Sequence, residues 1–573
     1  MPVANTEIAE LFERYATLLE IDGANPFRVR AYRNAARTLE NLPQSAVSML
    51  EAGEDLSELS GIGEDLADKI GAIARSGRFD ELEELQDDLP ASLAEIAALP
   101  GIGPKRVARL YEALGVERLD ELEKAAKDER LRKVEGFGAR TEQKILDEIA
   151  RRAGRQKRYR LASAEQMAAP LLAYLRDHPG IKEAEIAGSY RRRKETVGDL
   201  DILVTAARDA EVMEHFVAYD DVEAVIAKGS TRSTIRLRSG LEVDLRLVPA
   251  VGWGAALHYF TGAKAHNVQT RQIAAAKHWK LNEYGLFDGD ERIAGKTEEE
   301  VYQALGLAYV EPELREDRGE IEAARDGKLP ELVTVEDLKG DLHCHTRASD
   351  GRDDLETMAR TARERGHAYL AISDHSQHMR LAGGLSAKRL REQLRAIDEL
   401  NRGFDDFRLL KALEVDILED GRLDMDPDVL NELDLRICSI HDALDLPGDK
   451  QTERLIKAMD DPRCNVVAHP TGRLINKRDP YRLDLERVME AALERGCFLE
   501  INAQPQRLDL NDRHARMAKE MGLKLAISTD AHSASGLAFL RFGIDQARRA
   551  RLEPDDVLNT RSWPDLQKLL CRN

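Results

Sequence analysis

Nine residues of the kinds that ligate metals recur between positions 343 and 532, almost all of them where an apolar run stops: His343, His345, Asp350, His375, Glu414, His441, His469, Asp530 and His532. The runs read, in order, DLHCH, YLAISDH, LLKALEVDI, LRICSIH, NVVAHP, CFLEINA and LKLAISTDAH, with helix-like stretches between them. Residues i and i+2 of a strand share a face, so His343 with His345, and Asp530 with His532, can each converge on one ion. A parallel barrel brings the C-terminal ends of its strands to one rim, where such side chains would gather. A lone histidine beside an apolar run is ordinarily a hydrogen-bonded core residue. Nine donors ending successive runs predict a polynuclear metal site.

These elements (HCH, Asp350, the histidines of SDHS, CSIH and HPTG, Glu414, and the closing DAH) resemble the PHP family, polymerase and histidinol phosphatase, over residues 336–573. The resemblance implies a distorted seven-stranded barrel with up to three metals. One ion would use His343, His345, Glu414 and Asp530. Glu414 would bridge to a second held by His441 and His469, and a third would take Asp350, His375 and His532. Imidazole and carboxylate ligands without cysteine suit Mn²⁺ or Zn²⁺ alike. The implied chemistry is phosphoester hydrolysis.

A chain of 573 residues has room for several further domains upstream. Its start, MPVANTEIAELFERY, lacks an apolar core of signal-peptide length, and no stretch reaches membrane-spanning length, so a cytoplasmic protein with no membrane partner is expected. Five cysteines without a CxxC read as reduced thiols. The net charge of −20 argues against nucleic acid, but RRAGRQKRYR at 151–160 and YRRRK at 190–194 are basic clusters, and phosphate responds to the patch it faces.

The first third repeats one signal: GIGEDLADKI at 61–70, GIGPKRVARL at 101–110 and GFGARTEQKI at 136–145. Each is glycine, apolar, glycine, a polar turn and then a helix. Such turns bring backbone N–H groups to an anion, and the helix start adds its positive end. They resemble helix–hairpin–helix elements, which grip the DNA backbone without reading sequence. Gly61, Gly63, Gly101, Gly103, Lys105, Gly136 and Gly138 are the candidate DNA-binding positions.

In GSYRRRKETVGDLDILV, Asp199 and Asp201 alternate on a strand, and Asp244 of LEVDLRLVP can pair beside them. Three carboxylates in reach of one another repel unless cations lie between them, and two Mg²⁺ or Mn²⁺ ions there would serve phosphoryl or nucleotidyl transfer. The Gly188-Ser189 turn before them can hold a triphosphate, with Arg192 in reach.

Together with HYFTGAKAHN, these motifs resemble the polymerase X family of nucleotidyltransferases over residues 1–315, and the whole chain is similar to its bacterial members that carry a PHP domain. The resemblance implies Asp199, Asp201 and Asp244 as metal-binding catalytic aspartates. Ser189, Arg192 and Gly198 fall at nucleotide positions. Tyr259, Phe260 and Gly262 would border the sugar, while Asn267 and Arg271 would meet the incoming base and the template. Glu242 departs from the arginine that animal gap-filling members carry two positions before the third aspartate. Lys69 aligns with their lyase nucleophile and Tyr32 also matches, but Arg28 replaces a lysine and Asp65 stands where a positive residue is usual; 5′-end binding is the more expected role.

The predicted fold is multidomain α/β and α+β. Residues 1–80 form a helical 5′-end-binding domain and 81–150 a second helical DNA-binding unit. A nucleotidyltransferase palm follows at 151–250 and a thumb-like segment at 251–315, with 316–335 a charged linker and 336–573 the barrel. The function expected is a monomeric DNA polymerase using dNTPs to fill short gaps in gapped or nicked duplex DNA, in base excision repair or end joining. The barrel would act as a 3′–5′ exonuclease or cleave abasic sites; a structural or pyrophosphate-cleaving barrel is the alternative. A nucleotidyltransferase acting on a small molecule or an RNA end is the rival for the palm.

Overall fold

The structure, a computed structural model, describes every residue except 1, 2, 4, 41, 43, 60, 100, 154–156, 208–210, 572 and 573, so the basic run at 151–160 lies partly outside the described residues. The three glycine motifs share one geometry. The first glycine takes a left-handed φ of +80°, +83° and +88° at Gly61, Gly101 and Gly136, which a side chain would disfavour. The middle residue, Ile62, Ile102 or Phe137, is buried. A helix then opens behind the second glycine, at Glu64–Ser76, Pro104–Leu114 and Ala139–Ala153. Sequence predicts a boundary near residue 80, but one apolar cluster runs without a break from Val3 to Ile145. The two helical units are therefore fused through a common core.

The palm sheet has five strands in the order Ile181–Ile186, Asp199–Ala206, Glu242–Leu247, Arg232–Leu237, Val222–Lys228. Asp199–Ala206 and Glu242–Leu247 run parallel, with Asp201 directly opposite Asp244. Leu200, Ile202, Leu203 and Val204 are all buried, which anchors the strand carrying the aspartates.

Beyond the palm, helices Trp253–Thr261 and Lys264–Ala276 precede a three-stranded antiparallel sheet and the helix Glu298–Leu305, started by a Thr297/Glu300 capping box. The expected linker at 316–335 is not a free connector. Helix Glu320–Asp326 places Ile321 and Ala324, with Leu332 after it, in the same apolar cluster as Ala255 and Tyr302. Its charges are absorbed by partners: Glu320 receives His266 Nδ1 at 2.7 Å, and Glu316 lies 2.9 Å from Arg192 Nε.

The C-terminal part is a barrel of seven parallel strands in sequence order, from Gly340–Cys344 to Leu525–Ser528. Its first and last strands meet at a Cys344–Ala531 bridge, with the His345 N–H donating to the Ala531 carbonyl at 2.8 Å and the Thr529 N–H to the Asp341 carboxylate at 3.1 Å, so the barrel is nearly closed. Most strand residues are buried on both faces, which is why the strands read as continuous apolar runs. The barrel docks on the palm through an apolar cluster of Leu161, Ala164 and Val197 with Ile475, Leu508, Phe539 and Phe542. Among the described residues, no helix is long and apolar enough to cross a membrane.

Candidate active sites

In the palm, strand periodicity turns Asp199 and Asp201 to one face, and the parallel register adds Asp244. Thr234 and Arg232 (2.6 Å) donate to Asp244, and Arg246 lies 3.7 Å away. Among the described residues no donor reaches the Asp201 carboxylate. Burial, then Asp199 and Asp244, push its pKa up to about 6. Gly188 has φ +63°, and a Cβ there would lie 2.7 Å from Asp201 Oδ2, so this turn presses its backbone onto the carboxylate. Among the described residues the three aspartates do not close on one point as the barrel's donors do, and Asp244 is held by Thr234 and Arg232.

Ser189 and Gly198 are half-buried beside this face. Arg192 is engaged by protein: Nε donates to Glu316 at 2.9 Å and Nη1 to the Thr261 carbonyl at 2.7 Å. The Asn267 amide nitrogen donates to the carbonyls of Tyr259 at 2.6 Å and Gly262 at 3.3 Å, while its buried oxygen has no partner. A Cβ at Gly262 would come within 2.4 Å of that oxygen. Arg271 donates to the Asn267 carbonyl at 3.1 Å, and Phe260 lies under the Arg246 guanidinium. Glu242 is paired with Arg236 at 2.9 Å.

The Lys69 amine, the candidate lyase nucleophile, is paired with carboxylates. It sits 2.5 Å from Asp65 and 3.4 Å from Glu81, above the Tyr32 ring. Burial works to lower its pKa, but hydrogen bonds to Asp65 and Tyr32 win, and the ammonium is held well above the usual lysine range. Asp65, one helical turn earlier, keeps the amine charged. Gly61, Gly63, Gly101, Gly103 and Lys105 are exposed, and a Cβ at Gly63, Gly103 or Gly138 would meet nothing within 4 Å, so these turns have open space before them.

At the barrel rim, all nine predicted donors converge. Glu414 is the centre: five imidazole nitrogens, from His375 (2.9 Å), His469 (3.1 Å), His441 (3.3 Å), His343 (3.5 Å) and His345 (3.5 Å), face its two oxygens. His345 Nε2 lies 3.1 Å from Asp530 and 3.2 Å from His343 Nε2. Asp350 lies 3.5 Å from His375 and 3.4 Å from His532. Three groups have ligand atoms within 4.8 Å of one another: His345, Asp350, His375, His532; His343, His345, Asp530; and His375, Glu414, His441. This partition differs from the implied one, since His345 and His375 each face two groups. His345 has a buried Nδ1 without a hydrogen-bond partner, and five imidazole nitrogens crowd the two oxygens of the buried Glu414, a mixed imidazole and carboxylate set of the kind that holds divalent ions. The donors therefore fit divalent ions.

Sequence reasoning passed over two carboxylates behind this rim. Glu500 accepts from His343 Nδ1 at 2.8 Å, and Asp416 from His441 Nδ1 at 2.9 Å. Each holds its ring so that Nε2 faces inward, the usual support of a metal-ligating histidine. Glu500 carried a signal, because CFLEINA was the one strand-like run with no donor assigned. Burial opposes charge on the His441 ring, but Glu414 and Asp416 hold its pKa at about 9, whereas burial and Arg507 lower His469 to about 4.

Comparison with known proteins places this geometry in context. The descriptions that match are "Helix-hairpin-helix domain" at 3–79, "SAM-like Helix-hairpin-helix tandem" at 93–151, "DNA polymerase beta palm" at 163–238 and "DNA polymerase beta thumb" at 256–316. A Bacillus subtilis protein named DNA polymerase/3′-5′ exonuclease PolX is 38% identical over 571 residues, 99% of either chain. A probable phosphatase of Thermoanaerobacter is 30% identical over 235 residues, covering 38% of this chain and 89% of its own. DNA polymerase lambda of Arabidopsis thaliana is 26% identical over 353 residues, 55% of this chain and 62% of its own.

Proposed function

From the premise that the chain belongs to the PolX family of DNA polymerases/3′-5′ exonucleases, we propose that it fills short gaps in DNA at the palm and trims 3′ ends at the barrel rim, two centres that serve DNA repair. The observation that carries the polymerase assignment is the placement of Asp199, Asp201 and Asp244 on one face beside the Gly188 turn. Divalent ions held by these carboxylates would neutralise charge on the attacking and leaving oxygens. Ser189 and Arg192 receive the triphosphate, and Arg192 has its Nη2 open among the described residues. Tyr259, Phe260 and Gly262 border the sugar, and Asn267 and Arg271 meet the base and the template. The glycine turns at 61–63, 101–103 and 136–138, with Lys105, hold the duplex backbone on both sides of the gap, and Lys69 is a charged contact for the 5′ end.

The nine rim donors, with Glu500 and Asp416 behind them, form the nuclease. Mn²⁺ or Zn²⁺ bound there would supply electrophilic activation of the phosphodiester. Keeping nine polar side chains largely buried at one rim without ions would be costly, which disfavours an inert barrel. Changing Asp199 and Asp201 together to Ala tests the palm. Incorporation on a one-nucleotide gap should vanish while primer shortening continues; incorporation at near wild-type rate would refute the assignment.

A further inference from the structure

We propose that Arg549, on the barrel helix Leu540–Arg549, is a positioning residue for the polymerase reaction, acting through Glu316 and Arg192 on the turn that receives the nucleotide's triphosphate. The proposal rests on the palm assignment above. Arg549 is buried, and its guanidinium lies 3.3 Å from Glu316 and 2.8 Å from Asp512 while donating to the Arg192 carbonyl at 2.6 Å. Glu316 in turn takes Arg192 Nε at 2.9 Å, and the Thr261 carbonyl takes Nη1 at 2.7 Å. Two of the three guanidinium nitrogens of Arg192 are thus pinned by protein, and Nη2 is left for an anion.

The same stretch is held at its next residues too. Arg193 reaches Asp545, on the same barrel helix, at 2.7 Å, and Glu195 takes Arg473 of the barrel at 2.6 Å. Three of the four residues from Arg192 to Glu195 therefore bond to a domain that carries none of the palm's carboxylates. Exposed ion pairs contribute little, but these are largely buried, and losing one partner strands the others. A planar guanidinium that serves a carbonyl and two carboxylates at once fixes direction as well as charge, which a lysine cannot do. The balance of charge favours an anion. Arg192, Lys194, Arg318 and Arg549 surround Glu316 and Asp512, four positive groups to two negative. The network spans residues more than 230 apart and is built where triphosphate charge would arrive.

The test is single-nucleotide insertion on a one-nucleotide gap by the full chain, titrating dNTP, with Arg549→Ala, Arg549→Lys, Arg192→Ala and the Arg192→Ala/Arg549→Ala pair. Coupled neighbours are strongly non-additive, so Arg549→Ala should raise the dNTP KM on the order of tenfold with a smaller change in kcat, and hardly at all where Arg192 is already Ala. Arg549→Lys should recover part of the loss. Primer shortening at the barrel should keep its wild-type rate, which shows that the barrel is folded. If the Ala protein loses that rate, Arg549→Met, which keeps the aliphatic bulk, takes its place. An unchanged KM, or the same fold-loss with and without Arg192, would overturn the proposal. Failure of the palm assignment itself would show separately, as incorporation surviving the Asp199/Asp201 change.

Discussion

Asp201→Asn should make the metal-free palm more stable while abolishing incorporation. The buried carboxyl has its pKa raised from the usual 3.8 to about 6 by burial and by Asp199 and Asp244. The folded protein therefore binds more protons than the unfolded chain between these values, and stability falls as pH rises through that window. Above about pH 6 the whole cost is present, roughly 3 kcal/mol for a shift of this size. An amide of the same shape does not ionise. In EDTA at pH 7.5, exchange protection of the backbone amides in strand Asp199–Ala206 should rise roughly a hundredfold in the variant, in line with that energy. At pH 5, where much of the cost is relieved by protonation, the gain should shrink to roughly half in kcal/mol. Hydrogen exchange is the right assay because a multidomain chain has no single unfolding energy. Equal protection in both proteins at pH 7.5, or a gain that ignores pH, would refute the reasoning that like charge and burial are stored at this site for cations.

Other outcomes follow from named contacts. Glu500→Gln removes the carboxylate behind His343 and should lower primer shortening by roughly 10–100-fold without altering incorporation, measured on one labelled gapped substrate. Because Asp65 and Tyr32 keep Lys69 charged, borohydride should trap no adduct with a 5′-deoxyribose phosphate end; a trapped species lost in Lys69→Ala would restore the lyase reading. The same Lys69→Ala protein should bind a 5′-phosphorylated gap more weakly than wild type and show a shallower dependence of affinity on salt, read by fluorescence anisotropy.

What could be read from the chain alone divides along physical lines. His343 with His345, and Asp199 with Asp201, were legible because strand periodicity is local and fixes which side chains share a face, whereas Asp530 and His532 lie beyond the last strand, with Asp530 at φ +51°, and face different ligand groups. The glycine turns were legible for a similar reason, since Gly61, Gly101 and Gly136 each need a left-handed φ. The packing of the connector at 316–335 was hidden because a run of charges looks solvated until its partners are known. Arg549 and His266 lie far from Glu316 and Glu320 in sequence, and only the fold shows that they are their bonding partners. The boundary near residue 80 lies between the two matched helical descriptions, but composition gives no sign that the units also share one core. The sharing of His345 and His375 between groups depends on ring positions within about an ångström, beyond what spacing encodes. Lys69 was the mixed case: its position could be aligned, but its pairing with Asp65 and Glu81 and its place above Tyr32 come only from the fold.

One chain with two separable metal-dependent centres working on the same DNA ends should lose either activity without the other. The most direct measurement follows the length of a labelled primer on a one-nucleotide gap, with and without dNTP, for the wild type and for His343→Ala combined with His345→Ala. The variant should still add a nucleotide at the wild-type rate, no longer shorten the primer, and retain fewer bound metal ions by elemental analysis. Undiminished shortening with those ions lost, or loss of addition along with shortening in a folded protein, would contradict this separation.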